Sequence, residues 1–228
     1  MNPKVHFLLD NLAVVETLTK IKIKGDMKIM KKGLIVLLVI LLIIVFAASW
    51  FIGRYNNIQK EKVTVETAWA QVENVYQSRY DLVPNLVATV QGAADFERET
   101  LTQVTEARAQ MGGQVNLPPE ALSDPNAFQQ FQANQAGLSS ALSRLMVVVE
   151  RYPDIKANQN FLQLQAQLEG IENRIRTERM RYNDAAKLYN QMIVVFPNNI
   201  IASMIGAKAF QFFSADAEAQ RAPQVQFN

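Results

Sequence analysis

The sequence predicts an all-α protein, in which an N-terminal transmembrane helix precedes an antiparallel helical bundle with long, coiled-coil-like helices. Three observations predict it. Leu34 to Ile52 is a run of nineteen residues without a charge. Beyond Arg54, apolar residues recur at steps of three and four almost throughout, with little of the alternation that marks strands. The interruptions are short clusters of Gly, Pro and Asn, residues that stop helices and turn the chain. Four segments result: a basic leader over 1–33, the membrane helix over 34–53, the bundle over 54–213, and a polar tail over 214–228 that is expected to be flexible.

The net charge of +2 is unevenly divided. Residues 1–33 hold seven lysines and three acids, whereas the rest holds sixteen basic and eighteen acidic residues. Phe7 to Leu18 is mildly amphipathic, and Lys20 to Lys28 is a mixed tract of Lys and Ile. Met30-Lys31-Lys32-Gly33 then has the form of a short basic region opening an anchor sequence. Translation is therefore expected to begin at Met30, with residues 1–29 an upstream extension of the reading frame.

At about 1.5 Å per residue, Leu34 to Ile52 spans roughly 28 Å, close to the ~30 Å hydrocarbon core of a bilayer. Only a helix satisfies its own backbone there. Lys20, Lys22, Lys24, Lys28, Lys31 and Lys32 precede the run. Only Arg54, Lys60 and Lys62 follow it closely, interleaved with Glu61 and Glu66. By the positive-inside rule the N-terminus is cytoplasmic and the body extracytoplasmic, in a single pass of the membrane. Ala47-Ala48-Ser49 has the small-residue pattern of a signal-peptidase site, but the apolar run exceeds the usual length of about 7 to 15 residues, so an uncleaved anchor is expected. Trp50 and Tyr55 stand where an interfacial aromatic belt would hold them.

The first seam of the body is Tyr55, Ile58, Lys62, Val65, Trp69, Val72, Tyr76, Arg79, Val83, Leu86 and Val90. It passes through Pro84, which lacks an N–H and clashes with the carbonyl of Tyr80, so a kink or one-turn break is expected near Asp81–Pro84. The helix is expected to run on to about Gln110, followed by one long connection over 111–126. A second seam, Phe128, Phe131, Gln135, Leu138, Leu142, Leu145, Val149 and Tyr152, ends at Pro153. The third helix repeats Phe161, Leu168, Ile175, Tyr182, Tyr189 and Phe196 at intervals of seven, with Leu164, Ile171, Glu178, Ala185 and Met192 between them. A fourth, from about Ile200 to Phe213, closes the bundle.

Two charges occupy seam positions, Arg79 and Glu178. Unpaired burial would cost several kcal/mol. They are expected either to form a buried pair that fixes helix register or to snorkel at the bundle edge. Arg174, Arg176, Arg179 and Arg181 lie in a charge-dense tract that reads first as a solvated face and second as a docking surface for an acidic partner. Gln129, Gln130, Gln132, Gln135, Gln159, Gln163, Gln165 and Gln167 read as uncharged solvent faces.

Composition excludes much chemistry. There is no Cys, and the single histidine, His6, precedes the membrane run. Disulfides, thiol nucleophiles, histidine-dependent catalysis and a zinc site in the body are excluded. Asp81, Asp95, Glu97 and Glu99 read as surface carboxylates with no phosphate-binding loop nearby. No catalytic residue, cofactor or metal is assigned. The near-neutral body argues against nucleic acid, which requires a basic stripe.

Several phrases together resemble one family. They are Ala68-Trp69-Ala70, Arg79-Tyr80-Asp81-Leu82-Val83-Pro84-Asn85-Leu86-Val87 and Ala107-Arg108. Next come Glu150-Arg151-Tyr152-Pro153-Asp154-Ile155-Lys156-Ala157-Asn158 with Asn160-Phe161, Leu164-Gln165, Leu168-Glu169, Glu172-Asn173-Arg174-Ile175, Arg179, Tyr182-Asn183, Tyr189-Asn190 and Phe196-Pro197. From about Lys31 to Phe213 the chain resembles the LemA family of bacterial membrane proteins. The resemblance implies one N-terminal membrane helix and a helical bundle, and it carries no catalytic activity or site residues across.

The function expected is contact: an adaptor or scaffold in the bacterial cell envelope, not an enzyme. Its partners are the lipid bilayer through Leu34 to Ile52 and one or more envelope proteins, with no nucleic acid; self-association stays open. The connection 111–126 and the face around Arg174 to Arg181 are the expected contact surfaces. The alternatives are a membrane-associated hydrolase using carboxylates and a secreted bundle released by cleavage after Ser49.

Overall fold

The computed structural model describes residues 3–92, 96–112 and 116–214, with the backbone alone for 3–33. The chain divides into two compact units, Met1–Arg54 and Tyr55–Asn228. All regular structure among the described residues is helical.

In the first unit, the side chains of Leu34 to Phe46 are 49–75% exposed, and no described residue covers them. So much bare apolar surface is unfavourable in water and favourable in hydrocarbon. The Arg54 guanidinium lies 5.9 Å from the centre of the Trp50 ring.

The second unit is assembled on α1 (Pro3–Gln91). Ile58, Val65, Trp69, Val72, Tyr76, Arg79, Val83, Leu86 and Val90 are buried, as their spacing predicts, while Tyr55 and Lys62 are exposed. The helix runs unbroken through Pro84, with no one-turn break. Pro84 lies on the exposed side. The carbonyl of Tyr80, which has no N–H to accept from at position 84, accepts instead from Arg108 Nε at 3.3 Å. The same guanidinium lies 3.9 Å from the centre of the Tyr80 ring. Arg108→Met should therefore cost about 1 to 2 kcal/mol. The cost should shrink in a Pro84→Ala background, where residue 84 donates its own N–H; denaturant unfolding of the four variants measures the coupling.

The helix does not reach Gln110. It stops at Gln91, before Gly92, and a separate helix, α2 (Arg98–Gln110), buries its own stripe of Thr100, Leu101 and Val104. A continuous rod would leave that stripe in water; folding back covers it against the next helix. Gly112 follows α2 at a position where a Cβ would come within 2.7 Å of the Ala109 carbonyl oxygen, so the turn admits no larger residue without moving. A 3-10 turn (Pro119–Ser123) lies within the connection, with Leu122 buried.

Next come α3 (Pro125–Val149), α4 (Pro153–Lys156), α5 (Gln159–Val194) and α6 (Asn198–Met204). Asp124 caps α3, accepting from the N–H groups of Asn126 and Ala127, and Asn158 caps α5 through those of Asn160 and Phe161. Phe128, Phe131, Gln135, Leu138, Leu142, Leu145 and Val149 are buried on α3, and Phe161, Leu168, Ile175, Tyr182 and Tyr189 on α5. Ring contacts and the Arg79 bonds set the directions. Trp69 meets Phe131 and Arg79 meets Ser139, so α3 runs parallel to α1; Trp69 meets Tyr182 and Arg79 meets Glu172, so α5 runs antiparallel. With α2 between α1 and α3, the four main helices alternate up and down.

The expected fourth helix is half its predicted length. It ends at Met204, and Gly206 takes φ 67°, a left-handed conformation that suits glycine. Residues 207–214 leave the helix and run along α5 as a non-helical strap. Most of the tail lies outside the described residues.

Candidate functional site

The strap shows how the bundle recognises an unpaired backbone. Asn190 Oδ1 accepts from the N–H of Phe210 at 2.9 Å while its Nδ2 donates to the carbonyl of the same residue at 2.9 Å. Asn183 brackets Phe213 in the same way, at 2.9 and 3.0 Å. Seven helical residues rise about 10.5 Å, and three residues of extended chain cover about 10 Å, so two asparagines at heptad spacing match every third peptide unit. Tyr182 Oη donates to the Gln211 carbonyl at 3.0 Å, the Gln211 N–H donates to the Leu122 carbonyl at 2.9 Å, and Arg179 Nη2 donates to the Ser214 carbonyl at 2.9 Å. Phe210 and Phe213 are buried beneath this frame. These bonds pair the backbone N–H and C=O groups that the strap, having left the helix, would otherwise leave open. Asn183→Leu leaves both polar groups of the buried Phe213 unpaired and should cost about 1 to 3 kcal/mol, readable as faster proteolysis of the strap and a lower unfolding midpoint.

Above the strap lies an aromatic cluster. Trp69 stands 5.3 Å from the rings of Phe131 and Tyr182 and 6.0 Å from those of Phe128 and Phe213. Its Nε1 donates to the Leu117 carbonyl at 3.0 Å, and the Leu117 N–H donates to Glu73 Oε1 at 3.0 Å. Burial raises the Glu73 carboxyl above its ordinary pKa, partly offset by its bonds to Trp69 and Leu117. The connection 111–126 is thus tied into the bundle at Leu117 and Leu122, although Pro118, Pro119 and Glu120 remain exposed.

Burial pushes the Tyr182 phenol well above its ordinary value and, with a contribution from Glu66, raises Tyr189 also. Phenols that stay protonated when folded but ionise when unfolded support the fold only below about pH 10, and that support is lost as pH rises further. Stability should therefore fall above pH 10, with a shallower slope in Tyr182→Phe; urea titrations at stepped pH measure it.

The third feature is Arg79, of whose side chain only 1% is exposed. Its Nη1 donates to Ser139 Oγ at 2.6 Å and Glu172 Oε1 at 2.8 Å; its Nη2 donates to Gln135 Oε1 at 2.5 Å and, more weakly, to the Gln135 carbonyl at 3.3 Å. The guanidinium carbon is 5.2 Å from the centre of the Tyr76 ring. One cation joins α1, α3 and α5.

The charge in the first seam is buried as its position implies, but its partner is Glu172, not Glu178. Glu178 instead accepts from Arg181 one turn away, at 2.8 Å. The step of six residues from Glu172 to Glu178 corresponds to about 9 Å along the helix, and the level of Arg79 is fixed by Gln135 and Ser139 opposite. Glu172 lies beside the seam and keeps 34% of its side chain exposed, which lowers the desolvation cost of the pair. Gln135, grouped by composition with the solvent-facing glutamines, is buried because Arg79 needs its oxygen. A polar residue within an otherwise apolar seam was the signal for it; Asn183 and Asn190, seven apart, were the signal for the clamp.

The four arginines of the charged tract do not share one face. Arg174 and Arg181 are exposed and seven apart; Arg176 is exposed and bonds Asn173; Arg179 is turned to the strap, 4.7 Å from the centre of the Phe213 ring.

Fold and site define a membrane-associated helical bundle whose buried polar groups bind helices and strap to one another. The protein belongs to the LemA family, whose profile matches residues 68–227. Magnetosome protein MamQ 2 of Paramagnetospirillum magneticum is 28% identical over 189 residues, covering 76% of this chain and 69% of its own. Magnetosome protein MamQ of Magnetospirillum gryphiswaldense is 25% identical over 221 residues, covering 90% and 79%. Protein LemA of Metamycoplasma hominis is 23% identical over 165 residues, covering 72% and 71%. The family match extends past the strap, through most of the segment read as a tail.

Proposed function

We propose that this protein is a membrane-anchored scaffold that acts by protein–protein contact in the bacterial cell envelope, without catalysing a reaction. The observation that carries this reading is the use of the buried and half-buried polar side chains. Arg79, Gln135, Asn183, Asn190 and Tyr182 are all engaged in ties between elements, which fix the shape of a bundle and present its outer faces. The names of the MamQ relatives refer to an assembly, the magnetosome, and not to a reaction, which supports a role by contact. The bundle lies outside the cytoplasm, following the lysine bias of the leader. Arg174 and Arg181 form the contact face for an acidic partner. A photoactivatable crosslinker at either position in living cells should trap a discrete envelope protein, and charge reversal at the other position should abolish the adduct. Failure to trap any protein from both positions would overturn the contact reading.

A further inference from the structure

Val194, Val195, Phe196, Ile200 and Met204 form an apolar cluster at the turn from α5 to α6, exposed by 68, 56, 75, 54 and 71% respectively. The turn itself is held in place. Its inner side chains, Ile193, Ile201 and Ala202, are buried, and the Asn199 N–H donates to the Val195 carbonyl at 3.1 Å. The exposed side chains are thus displayed from a fixed element.

The register of the bundle gives the level of this cluster. Trp69 faces Tyr182, and Arg79 meets Glu172: the partners are ten residues apart on each helix, in opposite directions. Carried fourteen residues the other way, the same register sets Phe196 level with Tyr55. The influence of Glu66 on Tyr189 agrees with that alignment. Tyr55 follows Ile52, the last residue of the membrane run, by three residues, or about one turn of helix. The bundle therefore carries its exposed apolar cluster at the end where its chain enters the bilayer. Lys60 on α1 and Lys208 at the start of the strap add exposed cations at this end, suited to lipid phosphates.

We propose that the α5–α6 turn is a second membrane contact, with Val195, Phe196, Ile200 and Met204 inserted at the boundary between headgroups and acyl chains. This rests on Leu34 to Ile52 being the anchor. Two points of attachment hold a bundle against the membrane surface, whereas a single helix leaves it free to swing.

The absence of native cysteine makes the test direct. Full-length protein carrying a nitroxide at Ile200→Cys, Val195→Cys, Ser143→Cys or Leu41→Cys is reconstituted in phosphatidylethanolamine–phosphatidylglycerol vesicles, and accessibility to oxygen and to a nickel chelate is read by power saturation. Leu41 reports the anchor and Ser143, on the outer side of α3 far from Tyr55, reports water. The oxygen-to-nickel ratio at Ile200 and Val195 should exceed that at Ser143 several-fold and approach that at Leu41. Ratios equal to that at Ser143, with Leu41 in lipid, would overturn the second contact and leave the anchor standing. A water-like ratio at Leu41 would overturn both. Labels at Ile200 and Val195 shielded from both reagents would show that a second copy covers the cluster and would equally overturn the proposal.

Discussion

Trp69→Ala should lower the stability of the bundle by about 3 to 5 kcal/mol, the range for truncating a buried aromatic residue. Trp69 is 2% exposed and packs against rings from α3, α5 and the strap, while its indole N–H holds the connection at Leu117. Truncation opens a cavity where α1, α3, α5 and the strap meet, and it leaves the Leu117 carbonyl without its donor. Trp69→Phe keeps most of the ring and loses the indole donor, so its cost should be near 1 to 2 kcal/mol. Denaturant unfolding of the full chain in detergent, followed by far-ultraviolet circular dichroism, should show a lower midpoint at nearly constant slope. Equal midpoints for wild type and Trp69→Ala would mean that the cluster is not the core of the bundle.

The second large effect concerns the Arg79 crossing, where the order of the costs is more informative than their size. Glu172→Met leaves a fully buried guanidinium without its counter-charge, a change that typically costs about 3 to 5 kcal/mol. Arg79→Met leaves Glu172, which already touches water, and two neutral side chains, Gln135 and Ser139, one turn apart on α3. It should cost less, about 1 to 3 kcal/mol. The double variant should resemble Arg79→Met, so that the cycle shows a strong coupling energy. The corresponding cycle for Arg79 and Glu178 should show none. Arg79→Met costing more than Glu172→Met would mean that the carboxylate, and not the guanidinium, is the group stranded by the change.

Much of the fold was legible in the sequence because burial imposes periodicity. The seams from Ile58 to Val90, Phe128 to Val149 and Phe161 to Tyr189 correspond to the buried faces. Direction and level were less legible. A period identifies the face that is buried but not the height of the residue opposite, and height decided that Arg79 meets Glu172. From sequence alone the short α2 reads as part of the first helix, because Gly92 is a weak stop by propensity. The strap is hidden for a similar reason: Ile201, Ile205 and Phe212 fit a helical face, whereas the bonds that favour the non-helical backbone come from side chains far away in sequence, Asn183, Asn190, Tyr182 and Arg179 on α5. At the site, the seam rule found the buried cation and missed its partner, because a long carboxylate can reach in from the flank of a seam while staying hydrated.

The proposed role in the envelope requires the bundle to stand outside the cytoplasm on a membrane anchor. Ser143, exposed on α3 and apart from the strap, reports the side of the membrane on which the bundle lies. Intact cells expressing Ser143→Cys are treated with a membrane-impermeant maleimide. Labelling without permeabilisation is the result predicted. Labelling only after permeabilisation would contradict it and place the bundle, and its partners, in the cytoplasm.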